Sequence, residues 1–135
     1  MANTTEMIID FPGGKRVDAH YNGWDIPTDQ IRLAGGDSSA PEPFTLFLAS
    51  LGTCAGIYVL SFCQSRDIPT DNIKIIQRMI TGKGGRLTGI DLDIRVPDDF
   101  PEKYYSALEK AASFCAVKKL MENPPEFNIK TVVEQ

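Results

Sequence analysis

The side chains able to do redox or nucleophilic chemistry are few: three cysteines, Cys54, Cys63 and Cys115, and one histidine, His20. A thiol acts as nucleophile or metal ligand only as its thiolate, so the surroundings of each sulfur decide what it can do. Cys54 lies in the middle of an uncharged apolar stretch, residues 44–63, with Gly52, Thr53, Ala55 and Gly56 around it. Small neighbours of that kind let another element of the chain come close to the sulfur. Cys115 falls where an apolar helical pattern loses its register, at the expected start of a new helix. Free N–H groups at such a start favour a thiolate. Cys63 follows Cys54 by nine residues; at about 100° per residue it projects from the opposite helical face and reads as packing. A small core hydrophobe is the commonest role of a buried free cysteine, and for Cys54 that reading stands beside the reactive one.

Other chemistries find less support. A zinc site from Cys54, Cys115 and His20 would draw on scattered ligands, without the CxxC or HxxxH spacing of known sites. A Cys–His protease-like pair would depend on the lone His20, which lies on the polar face of a strand. The acidic pairs Asp91/Asp93 and Asp98/Asp99 read as a solvated strand face and a helix start. Gly35-Gly36 is not followed by the Lys-Ser or Lys-Thr of a phosphate loop, and the dinucleotide spacing is absent. A formal net charge of -4 and a pI near 4.9 give no electrostatic footprint for nucleic acid. An odd cysteine count argues against a fully paired disulfide framework. The opening residues 1–6 are polar, without the apolar region of a secretory leader. A reducing, cytoplasmic setting is therefore expected.

The elements that must position these residues follow from periodicity. At 135 residues, 42% hydrophobic and 24% charged, a single ordinary domain is expected. Residues 6–33 read as a β-meander. Met7, Ile9 and Phe11 alternate, Pro12-Gly13-Gly14 turns, and Val17, Ala19 and Tyr21 alternate again. Asn22-Gly23 is then a type I′ hairpin signal, with Trp24 to Ile26 beginning the return strand. Residues 33–41 form a loop of small residues in which Asp37, Ser38 and Ser39 are candidate caps for the next helix. Residues 43–65 read as one helix, entered at Pro41 and Pro43 and stopped near Arg66, Asp67 and Pro69. It is apolar all round, and a helix of that kind either crosses a membrane or is covered on every side. The scattered Gly, Ser and Thr and the absence of basic flanks favour covering. One small sheet covers one face, so a second helix and a second copy of the chain are expected to cover the rest.

Residues 71–134 read as β-β-α-β. A strand-like run carries Ile73, Ile75 and Met79, and Ile90, Leu92, Ile94 and Val96 alternate with Asp91, Asp93 and Arg95. Tyr104, Leu108, Ala111 and Cys115 share a helical face, with a kink or a new short helix near Cys115. After Pro124-Pro125, Phe127, Ile129, Thr131 and Val133 predict a last strand. The fold class is α+β with mostly antiparallel pairing.

With Gly-Thr-Cys54 inside an apolar helix after Pro43, then Cys115-Ala-Val-Lys-Lys-Leu, Asn-Pro-Pro and a closing strand pattern, the chain resembles the OsmC/Ohr family over nearly its whole length. That resemblance implies an intertwined α+β homodimer, with a mostly antiparallel sheet wrapped on long central helices. It implies thiol-dependent reduction of organic hydroperoxides, with Cys54 peroxidatic, Cys115 resolving and an external dithiol as reductant. No cofactor, metal, nucleic acid or membrane enters that chemistry. Burial in an apolar helix raises a thiol pKa, so a cation is expected near Cys54. In the peroxide-reducing members it is a hairpin arginine held by a glutamate at the helix entrance. Arg16, beside Lys15, holds the hairpin position. The residue after the entrance proline is Phe44, so Glu42, before that proline, is the nearest stand-in. Ala116 replaces the proline that often follows the resolving cysteine. The alternative function is a non-catalytic protein of the same fold that binds a small apolar ligand at the dimer interface.

Overall fold

The computed structural model describes residues 2–134. They divide into two compact units, one ending at Ala49 and the other beginning at Ser50, where composition suggested a single domain. The observed α+β elements are two small antiparallel sheets and three α-helices.

The first unit is the predicted meander. Strands β1 (Ile8–Gly13), β2 (Arg16–Tyr21) and β3 (Trp24–Thr28) pair in sequential order. Asn22 and Gly23 take φ of 50° and 80°, the two positive values a type I′ turn demands. That turn sets Tyr21 opposite Trp24 and His20 opposite Asp25. His20 is not simply solvated. Its Nδ1 lies 2.7 Å from Asp25 and its Nε2 3.0 Å from Asp10. The bond to Asp25, then that to Asp10, raises its pKa above the ordinary value. The His20 ring therefore ties the central strand to both neighbours.

After β3 the chain enters the small-residue loop, and its anchor is a residue that periodicity passes over. Asp29 is buried, 1% exposed. Its carboxylate accepts the Ser39 hydroxyl at 2.6 Å and the amides of Ser39, Asp37 and Gln30 at 3.0, 3.3 and 2.7 Å. Asp37 and Ser39 therefore close the loop on Asp29, and the Ser38 hydroxyl accepts from the Arg32 amide. The expected role of these three residues as helix caps is replaced by this internal knot. Gly36 packs so tightly on the Gln30 backbone that any Cβ would collide with it.

Helix α1 runs Pro43–Gln64, about 33 Å at 1.5 Å per residue. Leu46 donates to the Glu42 carbonyl at the start. At the far end Asp67 turns left-handed, with φ of 54°. There Arg66 donates to the Phe62 carbonyl at 3.1 Å and lies 3.7 Å over the Phe62 ring. A cation at that end complements the carbonyl partial charges.

The second unit packs β4 (Lys74–Thr81) and β5 (Leu87–Arg95) as an antiparallel pair, followed by α2 (Tyr105–Ala112) and α3 (Ala116–Glu122). Its core joins Ala55, Val59, Phe62 and Cys63 of α1 to Phe100, Leu108 and Ala112, with Ile75, Ile94 and Val96 against them. Two glycines admit the sheet. A Cβ at Gly52 would meet Gln77 Oε1 at 2.5 Å, and one at Gly56 would meet Ile75 at 3.9 Å.

One expectation, the closing strand, changes, and the cover of the long helix is incomplete in one chain. The opposite face of α1, with Ala49, Thr53, Ile57 and Ser61, stays exposed, so the chain by itself covers only one side of its apolar helix. That helix is long and apolar enough to cross a membrane by length and composition, but its inner face is already in this core. The closing strand does not form. Residues 124–134 have no regular structure, and Phe127, Ile129 and Val133 are 82%, 96% and 85% exposed. A strand needs a ladder partner for its N–H and C=O groups, and this segment pairs with neither sheet.

The Asp29 knot is testable. Its pKa is lowered to about 2, by the Ser39 hydroxyl first and the backbone donors after it, from an ordinary 3.8. The unfolded chain therefore binds this proton first, so the Asp29 contribution is complete above the ordinary value and fades as pH falls through about 2. Asp29→Asn should lower the urea midpoint near neutrality, and the gap from the parent chain should narrow steadily below pH 4.

Candidate thiol site

Cys54 and Cys115 lie 61 positions apart, and the fold brings them together. Cys54 sits on α1 about 200° round the helix from both Gly52 and Gly56. The glycines therefore receive β4, and the sulfur faces elsewhere. Cys115 ends the irregular turn after α2 and is the N-cap of α3, with φ of -48° and ψ of 121°. This is the register break that the sequence predicts. The turn arises because Ser113 and Phe114 close back on Glu109, Lys110 and Ala111, and α3 restarts one residue beyond Cys115.

The restart aims free amides at the Cys54 sulfur. The Val117 N–H, the Cys115 thiol and the Ala116 N–H, in that order of effect for the first two, lower the Cys54 pKa, while desolvation works against them. A thiolate there would accept two backbone donors, with the Cys115 thiol, which donates to the Leu51 carbonyl, beside it. Cys115 is 3% exposed, and its sulfur also lies 3.7 Å from the Leu51 carbonyl oxygen. Cys54 is half-buried and Cys115 buried, and both are free thiols. A pair within hydrogen-bonding reach can close to a disulfide after oxidation, given small side-chain adjustment.

Within the second unit, no cation is among the groups that lower the Cys54 pKa. Backbone N–H dipoles and a neighbouring thiol do this instead, and they bring no charge of their own to desolvate. Ala116 explains part of the difference, because a proline at that position would have no N–H to give. Arg16 begins β2 and donates to Asp18 at 2.8 Å, and Glu42 precedes α1 with its carbonyl bonded to Leu46. Both belong to the first unit. Cys63 is fully buried in the core, and burial pushes its thiol pKa up, in keeping with a packing role. His20 is engaged by Asp10 and Asp25 in the meander. Among the described residues, no group of three or more His, Cys, Asp or Glu side chains is placed to hold a metal.

Fold and site together define an α+β protein that carries one cysteine on its long helix and a second beside it at the start of a short one. The sequence model of the OsmC-like protein family matches residues 35–130, most of the chain, and the protein belongs to that family. Two solved structures share the fold. A protein of Psychrobacter arcticus 273-4, described as an osmotic stress induced and detoxification response protein, superposes with a TM-score of 0.72 at 18% identity, covering 88% of this chain and 89% of its own. An organic hydroperoxide resistance protein OsmC of Legionella pneumophila, also described as a predicted redox protein and regulator of sulfide bond formation, gives 0.51 at 16% identity, with 89% and 91% covered. No curated protein matches the chain in sequence.

The amide donors can be removed singly. Proline is well tolerated at the first position of a helix, and the extended ψ of Cys115 suits a residue before proline. Ala116→Pro should therefore fold while losing one donor. Iodoacetamide labelling of Cys54 against pH should show an apparent pKa below the ordinary thiol value of about 8.5, and the variant should move it upward. An unchanged profile would mean that this amide does not act on the thiolate.

Proposed function

We propose that the chain reduces organic hydroperoxides by thiol chemistry, with Cys54 as the peroxidatic residue and Cys115 as the resolving one. The observation that carries this reading is that two backbone N–H groups and the second thiol meet at one sulfur. The Cys54 thiolate attacks the terminal oxygen of ROOH. The O–O bond breaks, Cys54 becomes a sulfenic acid, and the alkoxide leaves and takes up a proton as the alcohol. The Cys115 sulfur then attacks the Cys54 sulfur, water departs, and a disulfide forms before irreversible overoxidation. An external dithiol restores both thiols. Arg16 and Glu42 are the proposed thiolate-stabilising residues. No cofactor or metal is required, and the reducing cytoplasm is the proposed compartment.

The proposed working unit is a homodimer. The exposed stripe Ala49, Thr53, Ile57 and Ser61 repeats every four residues along α1, the spacing of one helical face. The exposed apolar residues after Pro125 lack a sheet to join. Both features suit a second copy of the chain.

One equivalent of cumene hydroperoxide should remove two hydrogens from the protein, with a Cys54–Cys115 disulfide found by peptide mapping. Cys54→Ser should reduce peroxide consumption to the uncatalysed level. Cys115→Ala should still react once and leave a sulfenic acid on Cys54 that dimedone traps. Two intact thiols after peroxide would sink the peroxidase reading. Sedimentation should give twice the chain mass, and Ile57→Glu should shift it toward one chain; a parent chain that sediments as a monomer rules out the dimer.

A further inference from the structure

A cavity of about 380 Å³ opens in the second unit between β5, α2 and α3. Leu92 and Ile94 wall it from the sheet, Ala112 and Met121 from the helices, with Glu109 and Lys118 among its polar lining and Cys115 among the residues that line it. Cys54 does not line it. Cys115 is buried, so this cavity is what gives access to its sulfur, whereas Cys54 is half-buried and reached separately.

From this arrangement we infer that the two half-reactions use different sides of the sulfur pair: peroxide meets Cys54, and an apolar thiol entering the cavity opens the disulfide by attack on Cys115. This rests on the thiol reading above and names the side from which the pair is re-reduced.

Two physical arguments support it. Thiol–disulfide exchange is an in-line displacement at sulfur, so attack on Cys115 must come from the side away from Cys54. The cavity touches Cys115 without touching Cys54, as that approach requires. The second argument is the leaving group. Attack on Cys115 expels Cys54 as a thiolate, which the Val117 and Ala116 amides receive. The better-stabilised thiolate leaves faster. Attack on Cys54 would expel Cys115 instead, a buried sulfur 3.7 Å from the Leu51 carbonyl oxygen, which accepts a hydrogen bond from the thiol and offers none to a thiolate.

The steps balance. A thiolate RS⁻ attacks Cys115, the Cys54–Cys115 bond breaks, and RS–Cys115 forms with Cys54 as thiolate. A second RS⁻ attacks the R sulfur of that mixed disulfide and releases RSSR and the Cys115 thiolate. The two protons of the incoming thiols end on the cysteines or in solvent. The apolar walls select a thiol with an apolar body.

The test is made on the full chain carrying Cys63→Ser, oxidised to the disulfide with diamide so that peroxide activity is not needed. Limiting benzyl mercaptan, an acid quench and N-ethylmaleimide should leave the benzyl adduct on Cys115 and the maleimide on Cys54, in excess over the reverse by at least about threefold, as expected where access decides which sulfur is attacked. Met121→Trp, at an exposed position that lines the cavity, should slow opening by benzyl mercaptan about tenfold, as expected where access governs exchange. It should leave the rate of Cys54 oxidation by peroxide unchanged. Ser113→Phe, from the same lining, repeats the measurement in case the first variant folds poorly. Adducts mainly on Cys54, equal opening rates in both filled variants, or no disulfide with diamide would each overturn the inference. A Cys115 adduct in a protein that ignores peroxide would refute the peroxidase reading and the peroxide half of this inference, and would leave the assignment of thiol attack to Cys115 standing.

Discussion

A thiolate in an apolar helix must be held by something, and here the holder is backbone. The Cys54 sulfur sits on a helix that carries no charge from Pro43 to Gln64, so desolvation alone would keep it protonated. The start of α3 supplies N–H groups that α3 cannot use internally, and they point at that sulfur. The rest of the second unit serves this meeting. The β4–β5 pair packs on the glycine face of α1, α2 packs beside it through Leu108 and Ala112, and the turn after α2 delivers Cys115 and the first amides of α3 to the remaining side.

Departures from the family pattern become coherent in that light. A chain with proline after the resolving cysteine has one fewer donor there and a greater need for a charged group. With Ala116 in place, the amide is available, and Phe44 at the helix entrance leaves no acid at the usual position. Activation can thus shift from a side-chain ion pair toward main-chain dipoles without moving either sulfur. Dipoles have a practical advantage in an apolar seam, because a guanidinium taken out of water carries a large desolvation cost unless it is paired.

Outside the thiol site the charged residues do structural work. Asp29 gathers four donors and fixes the loop that leads to α1. His20 spans three strands between two carboxylates. In both cases a polar group holds together a segment with little core: β1 is exposed along its whole length, so its strand pairing and the Asp10 bond must compensate for missing apolar burial.

Local chemistry determined much of this protein in advance. Asn22-Gly23 specified a hairpin because only that turn accepts positive φ twice. The uncharged run after Pro43 specified a long helix, and the loss of periodicity at Cys115 specified a break. The two sulfurs could be singled out because few other groups here can change oxidation state. Tertiary structure decided the rest. Asp29 carries no periodic signal, since its value lies in donors eight to ten residues away. The source of Cys54 activation was hidden because main-chain amides leave no trace in residue identity. The pattern Phe127, Ile129, Thr131 and Val133 promised a strand that stays unpaired in the single chain, because alternation records only which face is apolar, while a ladder needs an edge to bind. Which elements meet is fixed by packing between distant segments, and a linear pattern cannot contain that information.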